Sequence, residues 1–355
     1  MSRFLQLHLL TFFPPANLNR DDTGRPKTAV VGGATRLRLS SQALKRAWRS
    51  SAVFAQALDG HMGQRTMRLG EMLRDHLLAQ GMEEAKATEV AREIAGIFGK
   101  VKDAKDNHPT RIEQLAFISP EERTAALALA DRAAAGEKID PKAASLLRSA
   151  DTAADIALFG RMLAADPDYN REAAAQVAHA ITTHRVTVED DYYTAVDDLK
   201  TSAEDAGAGF VGEAAFGSGV FYLYLCVDRA LLLRNLGGDA GAEALAGIAL
   251  GALAEAAATV APRGKQNSFA AHGRAGYVLA EWGDAQPRTL AGAFARPVTG
   301  EDLMAASIAA LTRFRADLDA AYGQGWRCEK VMQPGVGGSL AEIAEFCRAC
   351  PCPAS

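Results

Sequence analysis

The 355-residue chain predicts an α+β fold on three observations: strand-period alternation near the N-terminus and again around Val220, helix-period patterning through a long middle segment, and enough apolar residues to bury both. Hydrophobic residues make up 48% of the sequence, ample for one large domain with insertions or for two domains.

The first strand runs from Arg3 to Thr11, with Leu5, Leu7 and Leu9 alternating with Gln6 and His8. Arg3 before an apolar stretch resembles a secretory leader. The period of two, and Phe13-Pro14-Pro15 in place of a small-residue cleavage site, read instead as mature structure. After a polar loop, Thr35 to Leu39 alternates again, with Arg36 and Arg38 expected on a solvent face and Thr35, Leu37 and Leu39 on the other. Ser40 and Ser41 cap a helix expected to reach about Leu58. At 3.6 residues per turn Gln42, Lys45, Arg46 and Arg49 fall within an arc of roughly 100°. Leu44, Ala47, Trp48, Ala55 and Leu58 fill the opposite arc. An ordinary solvated face would look the same.

From Asp59 to Gln176 the chain is rich in Ala, Glu, Arg and Leu at helical period, broken at Pro109, Pro120 and Pro141, and reads as a helical insertion. Val186 to Phe216 is aromatic and acidic, and Gly207, Gly209 and Gly212 make it a hairpin or extended loop. Then Val220, Tyr222 and Tyr224 share one face and Phe221, Leu223 and Leu225 the other, which predicts a strand covered on both sides. A helix from Ala242 to Val260, the segment Lys265 to Ala271 and a loop-rich tail follow.

A net charge of −4 does not suggest a polyanion partner, but its distribution does. Arg20 to Arg49 holds eight basic residues against Asp21 and Asp22, a local +6 beside −10 for the remainder. The apolar stretch Ala242 to Ala261 is Ala/Gly-rich and carries Glu243 and Glu255, which argues against a membrane span. Five cysteines without a secretory signal fit a reducing cytoplasm.

Gly32-Gly33 lacks the Lys-Ser/Thr register of a phosphate-binding loop. His179 and His184 stand five apart, off the spacing that puts two metal ligands on one helical face. Cys347, Cys350 and Cys352 have thiolate spacing suited to zinc, but no second ligand pair accompanies them. Glu189, Asp190, Asp191, Asp197 and Asp198 could hold a cation or form a solvated acidic loop anchored by Tyr192 and Tyr193. Neither a metal nor a cofactor is expected. Aromatic side chains near a basic strand and helix also suit single-stranded nucleic acid, held by its phosphates and interrupted by apolar wedges.

These features resemble the CasC family, the backbone subunit of type I-E CRISPR Cascade surveillance complexes. The resemblance rests on Leu18 to Asp22, Gly32-Gly33, Arg36 to Gln42 with Leu44 to Ala47, and Asp155 to Met162. It continues through Ala178 to His184, Tyr192 to Asp198, Ser218 to Tyr222 and Lys265-Gln266, in order across nearly the whole chain.

The resemblance implies an RRM-like (ferredoxin-like) palm with a large helical finger insertion and a thumb hairpin. The palm comprises 1–58, 178–185 and 217–345, the fingers 59–177 and the thumb 186–216, with 346–355 as a tail. It implies a non-catalytic cytoplasmic subunit in antiviral defence that polymerises head to tail along CRISPR RNA. Such a subunit grips phosphates, presents bases to target DNA and assembles with other Cascade subunits. By position, Arg20, Lys27, Ser40, Gln42, Lys45 and Arg49 match palm contacts, Met162 an intercalating finger residue, and Tyr192 and Tyr193 a Trp-Phe pair. Val211 stands where a thumb-tip apolar residue is expected, and Arg296 substitutes for a late-loop lysine pair. The cysteine-rich tail departs from the pattern. Two rivals remain: a metal-dependent RNA-cleaving backbone subunit using Asp21 and Asp22, as type III relatives use a loop aspartate, and a single-strand binder acting alone.

Overall fold

A computed structural model describes residues 2–140, 146–163, 166–195 and 210–351. The chain divides into two compact units, one formed by 1–53, 177–226 and 251–355, the other by 54–176 and 227–250. The expected α+β class holds, with a multi-stranded sheet and a large helical insertion.

In the first unit the strands run in the order Cys328–Met332, Ala275–Gly283, Phe4–Ala16, Phe210–Asp228, Ala180–Thr182, Ala34–Leu39 and Thr28–Val31, with Glu189–Ala195 paired separately to Phe210–Asp228. The doubly apolar strand is central, as its sequence required: Val220, Phe221, Tyr222 and Leu225 are all buried. The first strand extends past Thr11 to Ala16 through both prolines. Pairing to Ala275–Gly283 ends at Thr11, so Pro14 and Pro15 lie beyond that ladder and its need for N–H donors. Leu10, Val220, Tyr222, Leu279, Phe294 and Leu311 form the core beneath the helix Leu303–Tyr322.

Two expectations fail here. The helix begun by Ser40 ends at Arg49, where Ser50 and Ser51 turn their hydroxyls back onto the Arg46 and Trp48 carbonyls; a separate helix starts at Ala52. The loop-rich tail is also wrong. The helix Leu303–Tyr322, the strand Cys328–Met332 and the helix Leu340–Ala349 occupy it, and Phe346 O accepts a 3.1 Å hydrogen bond from Trp282 Nε1.

The second unit packs the helices Leu69–Ala79, Glu84–Ala95 and Pro120–Ala134 around Leu73, Leu77, Ile94, Phe98, Ile112 and Leu129. Pro120 interrupts nothing: it opens a helix whose Ser119 and Glu122 form a reciprocal capping box, where its missing N–H has no cost. Asn235, in the helix Arg229–Asn235, donates to the Ala157 and Glu172 carbonyls and so ties 227–250 into this unit. The helix Ala240–Thr259 is long and apolar enough to cross a membrane, but 67% of its most apolar window is buried within the protein.

Candidate nucleic-acid interface

The basic segment folds around one side chain, Asn19. Its Oδ1 accepts from Ser40 N at 2.8 Å and its carbonyl from Lys27 N at 2.8 Å, while Arg38 N donates to the Lys27 carbonyl at 2.8 Å. Arg20 bridges to Pro26. Arg20, Lys27 and Ser40 are thereby drawn to the N-terminal end of the basic helix. Ser40 is itself buried, and its Oγ caps that helix by accepting from Ala43 N. Gln42 and Arg46 are exposed, Lys45 and Arg49 half-buried one turn apart, and Leu44 and Trp48 face the interior. Burial holds the Lys45 ammonium below the ordinary lysine range.

Arg36 leaves the patch. Its side chain is wholly buried, donating 2.8 Å to the Thr182 carbonyl and 3.0 Å to that of Phe294. Alternation had placed it on the outward face with Arg38; the sheet covers it, two backbone carbonyls accept from its terminal nitrogens, and its Nε is buried without a hydrogen-bond partner among the described residues. Arg38 instead meets His179 Nδ1 at 2.7 Å, and burial followed by the Arg38 and Lys27 charges lowers the His179 pKa.

Gly32 and Gly33, at φ +58 and +70, form the two-residue turn of the hairpin Thr28–Leu39. A Cβ on Gly32 would lie 1.7 Å from the Ala295 carbonyl oxygen, so the turn rests on the backbone just before Arg296, which is exposed beside it.

The loop between Arg20 and Pro26 is organised by Asp21. Its Oδ1 accepts from Thr23 Oγ1 at 2.7 Å, Thr23 N at 2.9 Å and Arg25 N at 3.0 Å, bonds that hold the carboxyl below its usual range. One oxygen of its carboxylate is committed to the turn. Among the described residues no group of three or more His, Cys, Asp or Glu side chains could hold a metal ion. Arg25 reaches Asp190 at 2.7 Å and Glu213 at 3.7 Å, joining this loop to the base of the hairpin Glu189–Ala195/Phe210–Phe216.

On that hairpin Tyr192 is 71% and Tyr193 47% exposed. Tyr193 lies over Gly212, where a Cβ would come within 2.4 Å of its ring. Val211 pairs with Thr194 on the strand, but its side chain lies outside the described residues, as do Asp197, Asp198 and the expected hairpin tip with Gly207 and Gly209.

Met162 belongs to the second unit and is 84% exposed. Its neighbours in sequence are anchored. Arg161 is buried against Glu122 at 2.6 Å and donates to the Phe117, Arg148 and Tyr169 carbonyls. Arg161 and Arg171 exchange backbone hydrogen bonds, and Arg171 pairs with buried Asp151 at 2.5 Å. Leu163 N donates to Asn170 Oδ1 at 2.6 Å. Met162 also lines, with Leu115, Lys100 and Phe98, a cavity of about 250 Å³.

The remaining motifs are structural. His184 Nε2 accepts from Val220 N while Nδ1 faces the Arg185 carbonyl, an arrangement that fits a single neutral tautomer. Cys347 is wholly buried, which pushes its thiol pKa up, and Cys350 is buried beside the Ser2 carbonyl. Cys352 lies outside the described residues.

A family profile described as CT1975-like protein matches residues 5–338. A solved chain from a "CRISPR RNA-guided surveillance complex, pre-nicking" superposes with a TM-score of 0.83 at 27% identity, covering 98% of this chain and 99% of its own length. Another, from a "CRISPR RNA-guided surveillance complex", gives 0.71 at 25% identity, covering 95% and 94%. No curated protein matches the chain.

Proposed function

We propose, for a chain that belongs to the CT1975-like protein family, that it is the non-catalytic backbone subunit of a type I-E Cascade surveillance complex in antiviral defence. The observation that carries this is the whole-chain likeness to a component of an RNA-guided surveillance complex, with 98% of the chain covered. In this reading copies stack head to tail along the guide, an open heterologous assembly, and join the other Cascade subunits in the cytoplasm. Sequence is then read by pairing of guide and target DNA, and the protein reads only backbone and shape.

The palm is 1–58 with 178–185 and 217–345, the fingers 59–177 and the thumb 186–216; the two compact units differ from this chiefly in grouping 227–250 with the helical insertion. Arg20, Lys27, Gln42, Lys45 and Arg49 hold guide phosphates, and Ser40 fixes the helix that carries three of them. Tyr192, Tyr193 and Met162 are exposed apolar surfaces suited to unstacked bases. Arg296 and Val211 retain the places that the family resemblance gave them. The RNA-cleaving alternative has less support: one carboxylate oxygen of Asp21 is taken up by its own loop, and among the described residues no group of three or more His, Cys, Asp or Glu side chains could hold a metal ion.

Purification of the tagged subunit with its bound RNA tests this reading: the RNA should be of uniform length and share one repeat-derived sequence. Lys45→Ala with Arg49→Ala should weaken retention regardless of spacer sequence. With about three to five phosphates neutralised per subunit, the log–log salt slope should be roughly −2 to −3.5. Retention indifferent to salt, or periodic cuts in complementary RNA on adding magnesium, would overturn it. Tight binding of any RNA by the lone monomer would favour a generic single-strand binder instead.

A further inference from the structure

The loop 20–26 begins at Arg20 and leads into Lys27, and the hairpin Glu189–Ala195/Phe210–Phe216 carries Tyr192 and Tyr193. Open space lies between them. A cavity of about 480 Å³ is lined by Asp21, Arg25 and Pro26 from the loop and by Arg185 and Val188 from the chain that enters the hairpin. Two side chains span the junction. Buried Asn17 donates from Nδ2 to the Gly24 carbonyl at 2.9 Å and to the Ala215 carbonyl at 2.9 Å. The Arg25 guanidinium meets Asp190 at 2.7 Å and Glu213 at 3.7 Å.

Strand register decides what this bridge holds. Tyr192 stands opposite Glu213 across the antiparallel ladder, and Asp190 precedes Tyr192 by two residues. Residues directly opposite, and residues two apart on one strand, share a face. Asp190, Tyr192 and Glu213 therefore lie on one face of the ribbon, and Arg25 is bound to the two carboxylates that flank the ring. Tyr193 lies on the other face, over Gly212. Arg25 is fixed at its own end as well, because its backbone N donates to Asp21 Oδ1 and its carbonyl accepts from Asp21 N. The Arg20–Pro26 bridge and the 2.8 Å bond from Lys27 N to the Asn19 carbonyl close the same turn. With side chains 44%, 35% and 47% exposed, the three ions add little to stability. Their effect is on distance.

We propose that Arg25 is a positioning residue: by bridging Asp190 and Glu213 it sets how far the Tyr192 ring stands from the phosphates held at Arg20 and Lys27, and so which base of the guide that ring meets. Arg25 itself takes no phosphate. The proposal rests on the guide-binding reading above.

Retention of a synthetic single-stranded CRISPR RNA by the full chain, with thermal unfolding in parallel, tests this. Positioning and charge give opposite signs for one variant. Asp190→Asn with Glu213→Gln removes two negative charges from beside a polyanion, so electrostatics alone would tighten retention. Loss of the brace should instead weaken it on the order of tenfold, as the loss of a stacked base would. Arg25→Gln should weaken retention by a similar factor. In a Tyr192→Ala background either change should add less than about twofold, because the ring through which both act is gone. Unfolding temperatures should move by less than about 2 °C.

Tighter or unchanged retention in the Asp190/Glu213 variant would sink the proposal. So would an Arg25→Gln loss that persists in full without the Tyr192 ring, which would make the guanidinium a phosphate contact. A loss that merely follows a lowered unfolding temperature would make the bridge structural and the assignment wrong. Tyr192→Ala retaining RNA as the parent does would reject it too. If these variants all behave as the parent while Lys45→Ala with Arg49→Ala releases the RNA, only this assignment falls and the guide-binding reading stands. Failure of the unmodified chain to retain the RNA would reject both.

Discussion

Met162 and the pair Tyr192–Tyr193 present apolar surface to solvent from very different mounts. Met162 follows a fully buried arginine, and its connection is clamped by two buried ion pairs, Arg161–Glu122 and Arg171–Asp151. The tyrosines ride on a strand whose seven residues are all exposed, held by its ladder to Phe210–Phe216 and by the Arg25 ion pair at its base. A side chain proposed to stay between two bases needs a fixed direction, which a buried arginine paired with Glu122 and bonded to three backbone carbonyls supplies. On a ribbon with one strand fully exposed, less burial holds the direction of a side chain.

The contrast is open to experiment. Arg161→Leu should have the largest effect: it leaves the Glu122 carboxylate buried without its partner and should lower stability by about 3–5 kcal/mol in chemical denaturation. A variant as stable as the parent would show that the ion pair does not build the Met162 mount. Acid should act on the same mount. Burial opposes ionisation of Asp151, but the Arg171 hydrogen bonds prevail and hold its pKa below 3.8. A depressed folded pKa means that this contribution is fully present above the unfolded value and is lost as pH falls through the lower folded one. Unfolding followed from pH 5 downward should therefore lose stability below about pH 4, and Asp151→Asn should flatten that dependence.

The hairpin should behave in the opposite way. Tyr193→Ala should cost about 1–3 kcal/mol in RNA binding, a stacked base's worth, while denaturation shifts by less than about 0.5 kcal/mol, the usual range for a surface change. An equal loss in both measurements would mean that the ring serves the fold through Gly212. Smallest of all should be Met162→Leu, which keeps an apolar side chain of similar volume on the same mount and should alter either quantity by under about 0.5 kcal/mol.

Much of the sheet could be read from periodicity. The central strand around Val220, the alternation from Leu5 to Leu9 and the Ser40 cap depend on neighbours a few residues apart, and those relations survive folding. The proline at 120 misled because the same residue ends one helix or opens another, and only the capping pair Ser119–Glu122 decides which. Cys347 was legible only in part, since thiolate spacing is visible in sequence and burial is not.

By itself, then, the sequence determined the fold class, the basic helix with its apolar underside, and the family's motifs in order. Each is a local pattern, written in residue type and spacing. Only the tertiary structure decided that Arg36 is a core residue bound to the Thr182 and Phe294 carbonyls, that Asn19 gathers Lys27 and Ser40, that 227–250 joins the helical unit, and that Arg25 reaches Asp190 and Glu213. Arg36 finds its acceptors 146 and 258 residues away. A charge pattern gives no sign of such partners, because burial of a cation depends on which distant carbonyls the sheet brings to it.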